Sequence, residues 1–438
     1  MKVFFYTLGC KVNQSDTQAL RAALLIAGHT DALAIESADV ILLNSCAVTA
    51  ESERKVRQKL RGFRVLNRDA ILVLTGCAVQ TNPRAAYDYP DADLLLGHHD
   101  AQALPAHLDA FLRCGQRIVS VSSHHLGESF DTEAITVAGL QRTRATVKIE
   151  DGCDRFCAYC IIPHARGPVR SKPLPALQKE LQGIAAQGFA EVVLVGINLS
   201  AYGRDLGCEL CDAVRLADAT PGIARVRLGS LEPNYLSAKT LETLLCFKSL
   251  CNHFHISLQS GCDKTLRAMR RHYTAKEFFD LMREIKLRFP DAALTTDVIV
   301  GFPGESDADF AETLTFVRES EFAKVHVFPY SPRKGTPAAD FPHQCSKSKK
   351  QQRAHALLDV AAELRGAFLA SQVGKRTAVL LEQPHPLGGW QGYTSNYTPV
   401  RVLTNAAAAA DDVPPKNRIA QVEIISVEDD SCTAKLLE

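Results

Sequence analysis

The chain reads as an α/β protein in three parts, and three patterns predict it. Buried β-branched runs alternate with helical stretches over residues 1–122. A second, separate alternation fills residues 143–370, and strand-like runs without intervening helices fill residues 371–438. In the first part, 2–7 (KVFFYT), 38–43 (ADVILL), 70–75 (AILVLT), 93–96 (DLLL) and 117–121 (RIVSV) read as strands, with helices at 16–28 and 50–66. This order predicts an open, mostly parallel sheet. Residues 123–142 are poor in apolar side chains and read as a linker. In the second part, strands are expected at 145–149, 190–195, 224–229, 254–258, 293–300 and 323–328, with helices at 175–187, 237–248, 275–288 and 306–320. Six β/α units predict a partial (β/α)6 barrel rather than a closed eight-unit one. In the third part, 376–381, 396–403, 419–427 and 431–437 suit a small OB-like β-barrel, with the alanine run 406–410 and Asp411 and Asp412 as a loop insertion.

Composition narrows the class. At 438 residues the chain is long enough for about two to four domains. Its 46% hydrophobic and 23% charged content is that of an ordinary globular protein. A net charge of +1 exerts no global pull on polyanions, so a nucleic-acid partner must be met by a local patch. No apolar run is long enough to span a bilayer, and the first ten residues make a poor signal peptide. A cytoplasmic protein with no membrane partner is therefore expected. Fourteen cysteines are many for a reducing compartment, where metal or catalytic use outweighs disulfides.

The strongest chemical signal is Cys153-Asp-Arg-Phe-Cys157-Ala-Tyr-Cys160. Three thiolates in one loop after a strand can hold three irons of a cubane and leave the fourth open. A structural zinc loop is the bland alternative, but it needs a second Cys or Cys/His hook, and none follows closely. The spacing resembles the radical S-adenosylmethionine (SAM) superfamily signature. That resemblance implies that SAM chelates the open iron and is cleaved there by one electron. Polar and glycine residues past the expected strand ends match a SAM pocket in order: Gly196 and Asn198, Glu232, Ser257 and Gln259, and Gly301 within the turn Gly301-Phe-Pro-Gly-Glu305.

Cys10, Cys46 and Cys77 each follow an expected strand of the first sheet, and the carboxyl ends of neighbouring parallel strands converge. Topology alone leaves two readings open: a second three-cysteine cluster site or three unrelated buried thiols. The stretches Thr7-Leu-Gly-Cys-Lys-Val-Asn-Gln14, Asn44-Ser-Cys46-Ala-Val-Thr49 and Thr75-Gly-Cys77 resemble the methylthiotransferase family, and TLGCKVNQ resembles its MtaB type rather than the MiaB or RimO types.

The resemblance covers nearly the whole chain: an N-terminal methylthiotransferase domain at 1–122, the radical SAM domain at 143–370 and a TRAM domain at 371–438. It implies two [4Fe–4S] clusters, on Cys10, Cys46 and Cys77 and on Cys153, Cys157 and Cys160. It further implies methylthiolation of C2 of N6-threonylcarbamoyladenosine next to the anticodon of tRNA. One SAM serves as methyl donor and another as radical source. No catalytic residue beyond the clusters is demanded. An electron donor such as flavodoxin or ferredoxin is implied, and nothing requires more than a monomer.

For the tRNA, Arg54, Arg57, Arg61 and Arg64, extended by Arg68, fall on one face of the expected helix 50–66 with few acids to neutralise them. A solvated face is the ordinary meaning of such a stripe. Segment 345–376 is a second basic candidate. In the last part, where acids outnumber bases, Trp390, Tyr393 and Tyr397 offer either base stacking or core packing. Cys208 and Cys211 form a CxxC without a partner pair, and His164 is expected at a pocket rim. Rival functions are methylthio transfer to a ribosomal protein, or a non-catalytic iron–sulfur protein that binds RNA.

Overall fold

The computed structural model describes residues 1–130, 143–403 and 417–437, so most of the linker and the alanine-rich insertion lie outside the described residues. The first sheet has six strands, all parallel, in the spatial order Thr30–Asp31, Lys2–Thr7, Val40–Ser45, Ile71–Gly76, Leu94–Leu96, Ile118–Ser120. The two central strands are buried at every position, which explains their unbroken apolar runs: a parallel strand covered on both faces has no polar side. On one face Ile41, Leu43, Leu72 and Leu74 pack against Val56, Leu60 and Phe63 of helix Ala50–Leu66. On the other, Val3, Val40, Leu42 and Val73 meet Leu20 and Leu24 of helix Lys11–Ile26 and Leu104 and Leu108 of helix Leu104–Cys114.

Two local differences from expectation stand out. Thr30–Asp31 adds an edge strand too short to carry a periodic signal. The first helix starts at Lys11, not 16, because the polar run Val12–Thr17 is buried rather than looped: Asn13, Ser15 and Thr17 all point inward.

In the second part the strands run in chain order: Arg144–Lys148, Glu191–Val195, Arg225–Leu228 continuing as Ser230–Leu231, His253–Ile256, Ala293–Val300 and Lys324–Pro329. Each pairing whose register is resolved is parallel. The third strand breaks at Gly229, so the array forms one three-stranded and one four-stranded group. Helices Leu174–Ala186, Leu210–Asp218, Ala238–Leu245, Ala275–Arg288 and Asp307–Glu319 connect them. The 24-residue helix Lys347–Ala370 packs on the last strand.

The C-terminal strands close into a five-stranded barrel in the order Arg376–Pro384, Trp390–Thr394, Pro399–Leu403, Ser431–Leu436, Ile419–Glu428. Its core holds Val379, Leu381, Trp390, Val400 and Val422. Trp390–Thr394 was not among the expected strands. The third begins at Pro399 rather than 396 because Tyr397, at φ 66, closes a tight turn. Arg225 and Arg227, at the amino ends of their strand, donate to the carbonyls of Tyr393 (3.0 Å), Ser395 (2.8 Å) and Thr394 (3.2 Å) in that turn. Arg227 also pairs with the fully buried Glu191 at 2.8 Å. Tyr393 and Tyr397 stack on one another at 4.8 Å, with the Arg144 guanidinium over both. Those rings, like the buried Trp390, are engaged in packing.

By contact density the chain forms two compact units. One comprises residues 1–130, 148–176 and 331–340; the other comprises 143–147, 177–330, 341–403 and 417–437.

Candidate functional site: two cysteine trios in one unit

Cys10, Cys46 and Cys77 each occupy the first turn past the carboxyl end of a strand, and lateral hydrogen bonds tie the three turns together. Asn13 is the hub. Its buried side-chain amide donates to Asn44 Oδ1 (3.2 Å) and to the Ser45 carbonyl (3.0 Å), and it accepts from the Cys10 thiol at 3.3 Å. Asn44 returns a hydrogen bond to the Asn13 carbonyl at 2.9 Å, and Ser45 Oγ donates to the Thr75 carbonyl at 2.5 Å. Gly76 lets the third turn close on the second. It sits at φ +96, and a Cβ there would strike Asn44 Oδ1 and come within 2.5 Å of the Ser45 carbonyl oxygen.

The trio shares one electrostatic environment. Burial pushes the Cys77 thiol up to about 12, against the pull of the Arg166 cation, and its neighbours Cys46 and Cys10 add to the rise. Burial likewise raises Cys46, offset by the Val48 N–H and by Arg166. Cys77 Sγ also lies 3.5 Å from His98 Nε2. Burial and then Arg166 hold that imidazole down to about 3, so it is neutral at physiological pH. Three soft donors of this kind surrender their protons to iron far more readily than to water, which suits a cluster site.

The second trio is built locally. Glu150–Asp151 pairs antiparallel with Arg170–Ser171 and closes the base of the loop, and the Cys153 N–H donates to the Gly167 carbonyl at 3.0 Å. Phe156 takes a left-handed φ of 46, and the Cys160 N–H bonds the Cys157 carbonyl at 3.0 Å, turning the loop back on itself. Burial is the main force raising Cys153, while the Arg155 N–H opposes it and Cys160 and Cys157 reinforce it. Ile161 and Ala165 just past the loop belong to the hydrophobic core of the first sheet. Ala338 caps the loop through the Ala158 carbonyl at 2.8 Å.

Arg166, six residues past Cys160, turns toward the first trio. It is 1% exposed, donates to both Asp151 oxygens at 3.0 Å and to Asp16 at 2.8 Å, and interacts electrostatically with Cys77 and Cys10. Lys148 pairs with the same two carboxylates at 2.6 and 3.1 Å. Burial alone would raise Asp16 and Asp151; Arg166 and then Lys148 hold both low. Beside this network is a cavity of about 370 Å³, lined among others by Asp16, Asn44, His98, Phe130 and Lys148.

The SAM-pocket candidates lie in the other unit. Asn198 is buried after strand Glu191–Val195. Glu232 pairs with Arg271 at 2.5 Å, and its N–H donates to Ser200 Oγ at 2.8 Å. Ser257 is buried, and its carbonyl accepts from Tyr273 at 2.7 Å. Gln259, at φ 67, donates its N–H to the Asp297 carbonyl at 2.8 Å. The Gly301 N–H binds Glu305, which Arg353 also holds at 2.6 Å.

Comparison with known proteins decides the family. Residues 2–97 match the model described as "Uncharacterized protein family UPF0004", and residues 147–317 match the radical SAM superfamily. The threonylcarbamoyladenosine tRNA methylthiotransferase MtaB of Thermotoga maritima is 35% identical over 431 residues, covering 98% of each chain. The chain belongs to the radical SAM tRNA methylthiotransferase family.

The MtaB of Bacillus subtilis is also 35% identical, over 91% of this chain and 89% of its own. The tRNA-2-methylthio-N(6)-dimethylallyladenosine synthase of Pelotomaculum thermopropionicum is 34% identical over 85% of each. Among solved structures, the radical SAM methyltransferase TsrM of Kitasatospora setae, with cobalamin and a [4Fe–4S] cluster bound, superposes with a TM-score of 0.55. It is 15% identical, covers 77% of each chain, and shows the fold alone. As a radical SAM transferase, the methylthiotransferase uses SAM and two [4Fe–4S] clusters. No helix among its described residues is long and apolar enough to cross a membrane.

The arginine stripe divides in this methylthiotransferase. Arg64 is drawn inward to Asp93 at 2.7 Å and to the carbonyls of Arg68, Ala70 and Asp91, and Arg54 pairs with Glu51. Arg57 is half-buried and Arg61 exposed. In segment 345–376, Lys349, Arg353, Arg365 and Lys375 each pair with an acid. His164 is exposed, edge-on to Phe156 at 6.0 Å. Sequence reasoning places Asn13, with Lys11, beside the first trio in an ordinary turn role, and the structure makes Asn13 the tie between turns; it missed Arg166, Asp16, Asp151 and Lys148 as a buried ion network. The sequence carried one signal for that tie, the Asn of TLGCKVNQ at helical spacing from Cys10.

Proposed function

We propose that this methylthiotransferase attaches a methylthio group to C2 of N6-threonylcarbamoyladenosine beside the anticodon of tRNA. The observation that carries a two-cluster mechanism is the grouping of both cysteine trios in one compact unit, with Arg166, just past the loop of one, beside Cys77 of the other. The threonylcarbamoyl substrate is supported by TLGCKVNQ and by end-to-end likeness to the MtaB of Thermotoga maritima.

In this reading Cys153, Cys157 and Cys160 hold the cluster that SAM chelates, and Cys10, Cys46 and Cys77 hold the auxiliary one. When bound, the first supplies the electron that cleaves SAM, and the second carries the sulfur to be methylated and transferred. The protein's own part is to orient and to balance charge. Asn13 and Ser45 hold the three auxiliary turns at fixed spacing. Arg166 offsets the negative charge of the thiolates from the buried Cys77 end of the trio, whose Cys10 end is exposed, while Asp16 and Asp151 hold its fork in place. Gly196, Asn198, Glu232, Ser257, Gln259 and Gly301 bind SAM. Arg57 and Arg61 meet tRNA phosphates. Residues 371–438 act as a TRAM domain that contacts RNA, after an N-terminal domain over 1–122 and a radical SAM domain over 143–370. The enzyme works as a cytoplasmic monomer fed by a flavodoxin- or ferredoxin-type donor.

The test is transfer itself. Anaerobically reconstituted protein, SAM, sulfide and reductant are incubated with tRNA bearing threonylcarbamoyladenosine, and nucleosides are read by mass spectrometry. A methylthio adduct on that nucleoside is expected. Modification of a ribosomal protein in place of tRNA would overturn the reading.

A further inference from the structure

A polar group on the wall of the open β/α array is used neither by the cysteine trios nor by the SAM-pocket candidates. Along strand His253–Ile256, Phe254 and Ile256 share a buried face, with Phe254 against Phe289, so His255 stands with His253 on the opposite one. The parallel register sets His255 beside Thr295 and Asp297 beside His326. His255 Nε2 lies 3.4 Å from the Asp297 carboxylate, and ligand atoms of His255, Asp297 and His326 all fall within 4.8 Å of one another. Thr295 Oγ1 fixes the His255 ring through Nδ1 at 3.0 Å. Lys324 stands two residues before His326 on the same face of its strand. His255 and Asp297 are each next to a SAM-pocket candidate: Ser257 lies two residues past His255, and the Gln259 N–H binds the Asp297 carbonyl.

We propose that His255, Asp297 and His326 read the substituent on N6 of the substrate adenosine and select threonylcarbamoyl over dimethylallyl. The proposal rests on the substrate reading above. A threonylcarbamoyl group carries a carboxylate, a hydroxyl and urea-type N–H and C=O groups. The two imidazoles and Lys324 supply donors for the carboxylate and carbonyl, and Asp297 supplies an acceptor for the N–H or hydroxyl. A dimethylallyl group offers no hydrogen-bonding atom, so its entry would strip water from this wall without replacing it. Sites built to hydrogen-bond a substrate group reject analogues lacking it by roughly 10⁴–10⁵-fold. Overall identity, 35% to one class of relative and 34% to the other, does not separate the two substrates. Under the proposal, selection is therefore assigned to the hydrogen-bonding groups of this wall.

The experiment compares wild type, the double variant His255→Leu/His326→Leu and the single variant His326→Gln on tRNA carrying either nucleoside. Iron content and melting temperature are recorded for each as the control on folding. The double variant is expected to lose at least about tenfold in kcat/KM on threonylcarbamoyl tRNA, mainly through KM, with partial recovery in His326→Gln. A double variant within twofold of wild type would overturn the inference while leaving the substrate reading intact. Wild type that modifies only dimethylallyl tRNA would overturn the substrate reading itself. Loss of wild-type transfer to a chelator that spares cluster iron, with rescue by Mn²⁺, would overturn recognition by these side chains in favour of a divalent ion held by the same three.

Discussion

The two cysteine trios, each proposed to hold a cluster, are built by opposite routes. Cys153, Cys157 and Cys160 sit within eight residues on a loop stapled at its base by Glu150–Asp151 and Arg170–Ser171. Cys10, Cys46 and Cys77 come from three turns along a sheet edge, and they converge only because Asn13, Asn44, Ser45 and Gly76 bind those turns side by side. The difference teaches where each site is vulnerable. A loop-local trio is lost mainly by removing its ligands. An assembled trio can be lost with every cysteine in place, by loosening the ties between turns.

The largest effect should come from the loop trio. Replacing Cys153, Cys157 and Cys160 together with alanine is expected to reduce reconstituted iron and sulfide from two cubanes to one and to abolish SAM cleavage. Retention of both cubanes would break the comparison at its root.

Arg166→Met comes next. It strands Asp16 and Asp151 in a buried site with Lys148 as their main remaining cation, and breaking such a network costs about 3–5 kcal/mol. Denaturant unfolding should show that loss, together with weakened retention of the auxiliary cluster.

Gly76→Ala sharpens the contrast. Its methyl group would collide with the Asn44–Ser45 turn at a positive φ, for a penalty on the order of 3 kcal/mol. Auxiliary iron should fall while the loop cluster still cleaves SAM. Equal loss of both clusters would show that the turns are not an independent device.

The smallest effect is electrostatic and belongs to the helix after the Cys46 turn. Arg57→Ala/Arg61→Ala should weaken tRNA binding and reduce the slope of log affinity against log salt by about 0.7–0.9 for each phosphate no longer neutralised. An unchanged slope would remove this helix from the RNA interface.

Much of this protein was legible without coordinates, because its strongest signals are local. Apolar runs such as ADVILL and AILVLT mark strands buried on both faces, and period and length alone separate them from the helices between. The spacing Cys153–Cys157–Cys160 names its chemistry because all three donors lie on one loop. Position after consecutive parallel strands was enough to bring Cys10, Cys46 and Cys77 to one edge, and only a family resemblance favours a cluster site there over incidental thiols.

Tertiary structure decided the partners of polar side chains, because a partner is set by burial and by neighbours distant in the chain. Arg64 looks like its stripe-mates in sequence, yet it is drawn to Asp93, 29 positions away. Tyr393 and Tyr397, equally suited to bases, stack on each other beneath Arg144. Arg166 follows a signature loop as one more basic residue, and only the fold shows it buried against two carboxylates and beside Cys77 of the other trio. His255, Asp297 and His326 lie on three separate strands with no shared spacing, so only the register of a parallel sheet could set them side by side.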